Sequence, residues 1–426
     1  MADSKIIDEC VNLLKENRNL ILTGAPGTGK TYLAKEIAKS MVAETAFVQF
    51  HPSYDYTDFV EGLRPISPDS DGNIGFERKD GIFKEFCKKA LNNFEDSKKD
   101  ETQLSKEKAF EDSYNALAEK INEKEIQIPL KTDDKHITAI NVNDNNNIIV
   151  QTDSDRENKN QYTISYNRLK KLSETYRDIK SLDEMSMSIY DGIRSVIGGC
   201  NASAFWAILH YLYKNESQHP ESKKTDNSLK NYVFIIDEIN RGDISKIFGD
   251  LFFAIDPGYR GEKGKVKTQY QNLVEAGDVF CDCFYVPENV YIIGTMNDID
   301  RSVESMDFAM RRRFAWKEIK ASDRMEMLDD YFKNKEFVDE AKERMKSLND
   351  KIDNTEGLNS SYNVGAAYFL KINEDNYKND PIKAWNDLWN NHLFGLLYEY
   401  LRGSDAVDAK MKELRKSYDL EQDDAQ

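Results

Sequence analysis

The chain is poor in the features that would place it in a membrane, in a disulfide-bonded scaffold or directly on a nucleic-acid backbone. Its five cysteines (Cys10, Cys87, Cys200, Cys281, Cys283) are scattered over 426 residues, so neither a disulfide framework nor a zinc ribbon is indicated. Cys281 and Cys283 read as same-face residues of a strand, and no second pair stands nearby to complete a metal site. The longest apolar stretches, Tyr232 to Ile236 and Val290 to Ile293, fall far short of a membrane span, and the N-terminus lacks a basic-then-apolar leader. Basic charge is short as well. There are 59 Lys and Arg against 76 Asp and Glu, a formal net charge of −17. Such a surface repels phosphate backbones and leaves nucleic acid to a local basic site or a partner. With 39% hydrophobic and 32% charged residues, the composition is that of a soluble, acidic, globular protein, expected in the cytoplasm.

What is present is a phosphate-binding loop. Gly24-Ala25-Pro26-Gly27-Thr28-Gly29-Lys30-Thr31 stands between an apolar run, Leu20 to Thr23, and a helix-patterned segment, Tyr32 to Met41. Strand before and helix after are the context this motif requires. Gly24, Pro26, Gly27 and Gly29 form the turn whose backbone N–H groups close around phosphates. Lys30 reaches the outer phosphates, and the Thr31 hydroxyl is a Mg²⁺ ligand.

Hydrolysis needs more: a metal bridging the phosphates, a group that positions the attacking water, and positive charge for the transition state. Asp237 ends an apolar strand, Tyr232 to Ile236, and is expected to share the Mg²⁺ shell with Thr31. Glu238, one residue on and facing the other way, is expected to orient and polarise water. Asn297 follows the next buried strand, Val290 to Thr295, and is placed to hydrogen-bond the γ-phosphate or the water. Arg311, Arg312 and Arg313 precede a further strand, Phe314 to Ile319. One of them is expected to pair with local carboxylates such as Asp307, and another to reach a neighbouring subunit's γ-phosphate, which would complete the site only at a subunit boundary.

Between these motifs the pattern changes. Residues 95 to 200 hold 16 Lys and Arg against 21 Asp and Glu, so this stretch is no basic arm. A helix at Lys106 to Glu123 leads to short strands at Ile137 to Val142, Ile148 to Thr152 and Tyr162 to Ser165, with Asp144-Asn145-Asn146-Asn147 as a hairpin turn. The module is either a solvent-exposed insertion or a recognition and docking element. From about Ala321 the chain is helical. A loop carrying Arg260, Lys263, Lys265 and Lys267 either faces a ring pore or partner or is a solvated hairpin.

The order of P-loop, strand-terminal Asp-Glu, strand-terminal Asn, arginine cluster and helical tail resembles the AAA+ ATPases. More specifically, Asp237-Glu238-Ile239-Asn240-Arg241-Gly242 and Gly294-Thr295-Met296-Asn297-Asp298-Ile299-Asp300-Arg301-Ser302 resemble the McrB family, the GTP-hydrolysing motors of modification-dependent restriction systems. The loop Phe50-His51-Pro52-Ser53-Tyr54 and the string Phe284 to Val290 are similar to the same family.

That resemblance implies an α/β fold: an AAA+ P-loop NTPase core with a parallel sheet flanked by helices, a mixed α/β insertion and a C-terminal helical lid. Residues 1–94 and 201–320 would be the two parts of the core, 95–200 the insertion and 321–426 the lid. It implies Asp237 as metal-organising acid, Glu238 as catalytic carboxylate, Asn297 as first sensor, Asp300 and Arg301 as a signature loop that tunes hydrolysis, and Arg312 or Arg313 as a finger acting in trans. It further implies Mg²⁺, a homo-oligomeric, hexameric ring, and a McrC-like nuclease partner, with DNA engaged through the assembled complex.

Three departures from the family's pattern stand out. The P-loop begins only 24 residues from the start, so target reading is expected elsewhere. The interval from Thr31 to Asp237 is 237 − 31 = 206 residues, longer than the compact motor needs. Gly365-Ala366-Ala367-Tyr368-Phe369 has alanines where related motors are polar, so no second sensor is assigned. No Asn-Lys-x-Asp string reads guanine, which leaves GTP resting on the resemblance and ATP open. The alternatives are a MoxR-like or dynein-related ATPase that remodels protein complexes, and a nucleotide-gated scaffold without turnover.

Overall fold

A computed structural model describes residues 2–67, 74–131, 135–143, 146–152, 161–185, 188–199, 201–216, 227–274, 278–299, 308–377 and 380–421. Eleven strands occur among them: β1 (Asn19–Thr23), β2 (Glu44–Gln49), β3 (Glu61–Pro65), β4 (Phe76–Asp80), β5 (Ile126–Pro129), β6 (His136–Val142), β7 (Ile148–Thr152), β8 (Gln161–Ile164), β9 (Tyr232–Asp237), β10 (Val290–Thr295) and β11 (Ala315–Glu318). They belong to two compact units, one formed by Met1–Phe94 with Leu229–Gln426, the other by Glu95–Ser228.

The first unit is built on a five-stranded sheet in the order β11-β1-β10-β9-β2, with every pairing parallel. Parallel strands need helical crossovers that cover both faces, which is why β9 and β10 are near-continuous apolar runs. Alternate residues serve the two sides. Leu20, Leu22, Val233, Ile235 and Ile293 pack with Cys10, Leu14, Leu33 and Ile37 on one face. Ile21, Phe234, Ile236 and Ile292 pack with Phe59, Phe83 and Phe248 on the other. The expected buried strand at Phe314 to Ile319 is instead the sheet edge β11, half-exposed because it has a neighbour on one side only.

After β2 the sequence reading missed an antiparallel ribbon, β3 with β4. It stands on buried charge: Lys84 Nζ lies 2.5 Å from Glu61 Oε2, and both side chains are fully buried. Arg78 reaches Glu61 at 3.0 Å, and the Tyr270 amide donates to Glu61 Oε1 at 2.7 Å. Burial alone raises the Glu61 carboxyl, but hydrogen bonds from Lys84, Thr268 and the Tyr270 amide outweigh it and hold the group below its ordinary value.

Residues 321–421 are helical, with their own apolar cluster around Phe337, Leu348, Trp385 and Tyr418. Cys281 and Cys283 are not strand residues. Asp278 accepts from the Phe280 amide through its side chain at 2.8 Å and from the Cys281 amide through its carbonyl at 3.0 Å, folding the segment into a turn. Nor is Arg260 part of a solvated loop: it is buried and donates to the Asn19 side-chain oxygen.

The second unit is a four-stranded antiparallel sheet, β5-β6-β7-β8. Its inward residues Ile128, Ile137, Ala139, Ile148, Val150 and Ile164 pack with helices Glu101–Glu123, Tyr166–Thr175 and Ala202–Glu216. The expected boundary at residue 200 is therefore corrected to Ser228, because Phe205, Trp206, Ile208, Leu209 and Leu212 are buried in this module's core. Of the expected hairpin turn, Asp144 and Asn145 lie outside the described residues; the Asn143 amide donates to the Asn147 carbonyl at 3.0 Å.

Candidate functional site

The site lies at the C-terminal ends of β1, β9 and β10. Gly24, Gly27 and Gly29 all have positive φ, which turns the loop back on itself before the helix Lys30–Ser40 begins. Lys30 is buried; its ammonium donates to Gly24 O at 3.0 Å and Ala25 O at 2.8 Å. One carboxylate oxygen organises the centre. Asp237 Oδ1 accepts from Thr31 Oγ1 and from Thr295 Oγ1, each at 2.6 Å. Thr295 Oγ1 in turn accepts the Glu238 amide at 3.2 Å.

Glu238 is the one non-glycine residue named at this site that is held in the left-handed backbone region, with φ 53° and ψ 46°. A non-glycine residue in the left-handed region costs on the order of 1–3 kcal/mol and is retained where surrounding structure imposes it. The twist separates the Glu238 side chain from that of Asp237. Asn297 Nδ2 donates to Glu238 Oε1 at 2.9 Å, and Arg241 Nε stands 3.5 Å from Oε2. The Asp298 amide donates to Gly24 O at 3.4 Å. Desolvation raises the Asp298 carboxyl above its ordinary value, opposed by the Lys30 ammonium and reinforced by Glu318.

Thr31 Oγ1 and Asp237 Oδ1 are hard oxygen donors side by side at the loop mouth. That set fits Mg²⁺, which takes one or two protein oxygens and completes its shell with water and phosphate. Among the described residues there is no cluster of three or more His, Cys, Asp or Glu that would cage a metal with protein alone.

The helical region closes on the loop through main chain. The Gly365 amide donates to Pro26 O at 3.1 Å and the Ala367 amide to Gly27 O at 3.0 Å. A Cβ on Gly365 would stand 2.2 Å from the Gly27 carbonyl carbon, so only glycine allows this approach. Tyr368 lies against Gly27, and burial raises its phenol. Arg324, fully buried, donates to Gly29 O at 3.2 Å and covers the Tyr32 ring at 4.9 Å.

The arginines are at the other end of the sheet. β11 pairs with β1 from Leu20↔Ala315 to Thr23↔Glu318, so residues 311–313 precede the first pair while the P-loop follows the last. At about 3.3 Å per strand residue they are on the order of 15 Å or more from the loop of their own chain. Phe308–Arg311 is a helical turn rather than a lead-in to a strand. Arg311 stacks on Trp316 at 4.6 Å. Arg313 is buried, donates to Ala309 O, lies 3.7 Å from Asp256 and covers Phe252 at 5.5 Å. The Arg313 side chain is thus held inside its own subunit rather than presented at the surface. Arg312 is exposed, and its side chain has no hydrogen bond or ion pair among the described residues.

With this geometry in view, comparisons with known proteins give a consistent answer. A family described as Novel STAND NTPase 3 matches residues 2–68, and the AAA domain of the dynein-related subfamily matches residues 200–314. The chain is 26% identical over 405 residues to the Type IV methyl-directed restriction enzyme EcoKMcrB subunit of Escherichia coli strain K12, covering 92% of this chain and 56% of that protein. The chain is a McrB-like P-loop NTPase of the AAA+ class.

This McrB-like chain is also 31% identical over 97 residues to the Type II restriction enzyme BsuMI component YdiS of Bacillus subtilis strain 168, covering 22% of the chain and 28% of that protein. It spans about half the length of the first relative and less of the second. No described helix is long and apolar enough to cross a membrane.

Of the expected residues in the McrB-like site, the structure brings together Gly24, Pro26, Gly27, Gly29, Lys30, Thr31, Asp237, Glu238 and Asn297, and sets Arg312 and Arg313 apart. Asp300, Arg301 and Asp307 lie outside the described residues. Sequence reasoning missed Thr295, Arg241, Gly365, Ala367 and Arg324. Thr295 and Arg241 sit inside the two strings that carried the resemblance and were legible there. The Ala367 amide had no signal, because a main-chain donor is the same on any residue except proline.

Proposed function

We propose that this chain is the nucleotide-hydrolysing motor subunit of a McrBC-like restriction complex, at work in the cytoplasm as a homo-oligomeric ring of six. The observation that carries the reading is the shared Asp237 oxygen: it ties Thr31 of the P-loop to Thr295 and, through the Glu238 amide, to the Glu238–Asn297 pair. Thr31 and Asp237 hold Mg²⁺, which neutralises charge at the phosphates when bound. Lys30 exchanges the carbonyls of Gly24 and Ala25 for the outer phosphates. Glu238, kept in place by Asn297, orients the attacking water and accepts its proton. Arg312 supplies positive charge to the γ-phosphate held by a neighbouring subunit, a contribution worth roughly 10³ to 10⁵ in rate in related reactions.

GTP is the favoured nucleotide, on the resemblance of the chain's motifs to the McrB family. DNA and a McrC-like nuclease join through the assembled complex, a reading supported by two restriction-system relatives. The match to a dynein-related AAA domain favours one alternative, an ATPase that remodels protein complexes.

Phosphate release with GTP and with ATP separates the two readings, with Lys30→Ala and Glu238→Gln as controls. GTP preference abolished by both substitutions is expected. ATP preference would move the remodelling reading forward, and turnover that survives both substitutions would sink the assignment of the site.

A further inference from the structure

Arg312 does not stand alone on its surface. The Arg312 amide donates to the Phe308 carbonyl at 3.3 Å, closing one helical turn that places residues 308 and 312 on the same side. Phe308 is 90% exposed, whereas Met310 of the same turn is 1% exposed and faces the core. Arg311 on Trp316 and Arg313 on Asp256 and Ala309 O fix the turn from within. The outward direction of Phe308 and Arg312 is thus set by their neighbours. A phenylalanine in water contributes nothing to its own fold; burying it in a contact corresponds to about ten- to a hundred-fold in an association constant.

We propose that Phe308 is the apolar anchor by which this chain docks a second copy of itself, seated beside the active site that Arg312 completes. This rests on the reading of Arg312 as acting in trans. Two observations favour a second copy as occupant. The β1–β11 register points Arg312 away from its own P-loop, so the phosphates it can meet belong to another subunit. The loop rim of such a copy offers the exposed carboxylate of Asp298, which complements the exposed guanidinium. Against them stands the formal net charge of −17 on each copy. The copies' general repulsion has to be overcome by local contacts, and an apolar anchor next to a cation supplies one that salt screens only in part.

The test uses the full chain with a non-hydrolysable nucleotide in sedimentation, and phosphate release across a range of protein concentration, for wild type, Phe308→Ser, Phe308→Leu and Arg312→Ala. Phe308→Ser is expected to raise the protein concentration for half-maximal assembly and turnover at least ten-fold with an unchanged plateau rate and melting temperature. Phe308→Leu should restore most of the difference. Arg312→Ala should fail to hydrolyse at any concentration, with a smaller shift in its half-maximal assembly concentration than Phe308→Ser.

Wild-type assembly and turnover by Phe308→Ser would overturn the anchor while leaving the Arg312 reading intact. Full activity of Arg312→Ala would overturn that reading instead, and a wild type that is monomeric with concentration-independent turnover would overturn both. A lowered melting temperature in Phe308→Ser would assign Phe308 to the subunit's own stability. Normal assembly with lost affinity for duplex DNA would assign it to nucleic acid. Either result contradicts the proposal.

Discussion

The two ends of one parallel sheet use the same kinds of side chain in opposite ways. At the C-terminal end, the side chains of Thr31, Asp237 and Thr295 bond to each other, as do those of Glu238 and Asn297. At the N-terminal end, polar groups are spent on main chain. Asn19 Nδ2 donates to the carbonyls of Ile255 and Arg313, both at 2.8 Å, and its oxygen accepts from Arg260. Burial lowers the Arg260 guanidinium to about 10. The lesson is that residue type does not separate chemistry from architecture here; what a side chain is already bonded to does. Arg312 and Arg313 are neighbours in sequence, yet one is committed to its own subunit and the other is available.

The sharpest way to break the comparison is to remove each arginine in turn. Arg312→Ala is expected to lose about 10³-fold or more in turnover with no change in melting temperature, because its side chain bonds to no other among the described residues. Arg313→Ala is expected to do the reverse, losing about 1–3 kcal/mol of stability as seen in denaturant unfolding. Its activity should survive wherever the protein remains folded. If the two results were exchanged, the division between the ends of the sheet would be wrong.

At the nucleotide end, Gly365→Ala forces a methyl against the Gly27 backbone. A displacement near 1 Å at a catalytic loop costs on the order of 10² in rate, so turnover should fall by about that factor while the melting temperature shifts little. Ala367→Ser keeps the amide and is expected to be close to neutral, which a steady-state assay will check.

The buried charge under the β3–β4 ribbon offers a contrast within the same unit, charge held for structure alone. Lys84→Met leaves Glu61 without its closest cation in a fully buried site. The expected loss is about 3–5 kcal/mol, read by chemical denaturation, with residual turnover unchanged per folded molecule.

The smallest effect is on pH dependence. Glu61 and Asp80 are both held below their ordinary values. Their stabilisation is complete above the unfolded values, near 4, and is lost as pH falls through the lower folded ones. Melting temperature should therefore drop with acid below about pH 4, and Glu61→Gln should flatten part of that slope.

Much of the site was legible in the sequence because its residues lie in contiguous strings at strand ends: the P-loop after β1, Asp237-Glu238 after β9 and Asn297 after β10. A buried strand fixes where its last residue emerges, so motif and geometry coincide. The ribbon β3–β4 was not legible, since Arg78, Lys79 and Asp80 give it no alternating apolar face and its stability comes from ion pairs distant in sequence. The end of the insertion was misplaced because the helix Ala202–Glu216 is apolar enough to suit either core. The lid's contact with the P-loop runs through amides that leave no mark on residue choice beyond Gly365.

The measurement that tests the central claim most directly is a mixing experiment. Glu238→Gln and Arg312→Ala are each expected to be inactive alone, for lack of the water-orienting carboxylate in one and the supplied guanidinium in the other. In a mixed assembly, a subunit with intact Glu238 can receive Arg312 from its neighbour. Recovery of phosphate release on mixing the two is the expected result. Inactivity of the mixture, with mixed assembly confirmed by sedimentation, would contradict a site completed across subunits.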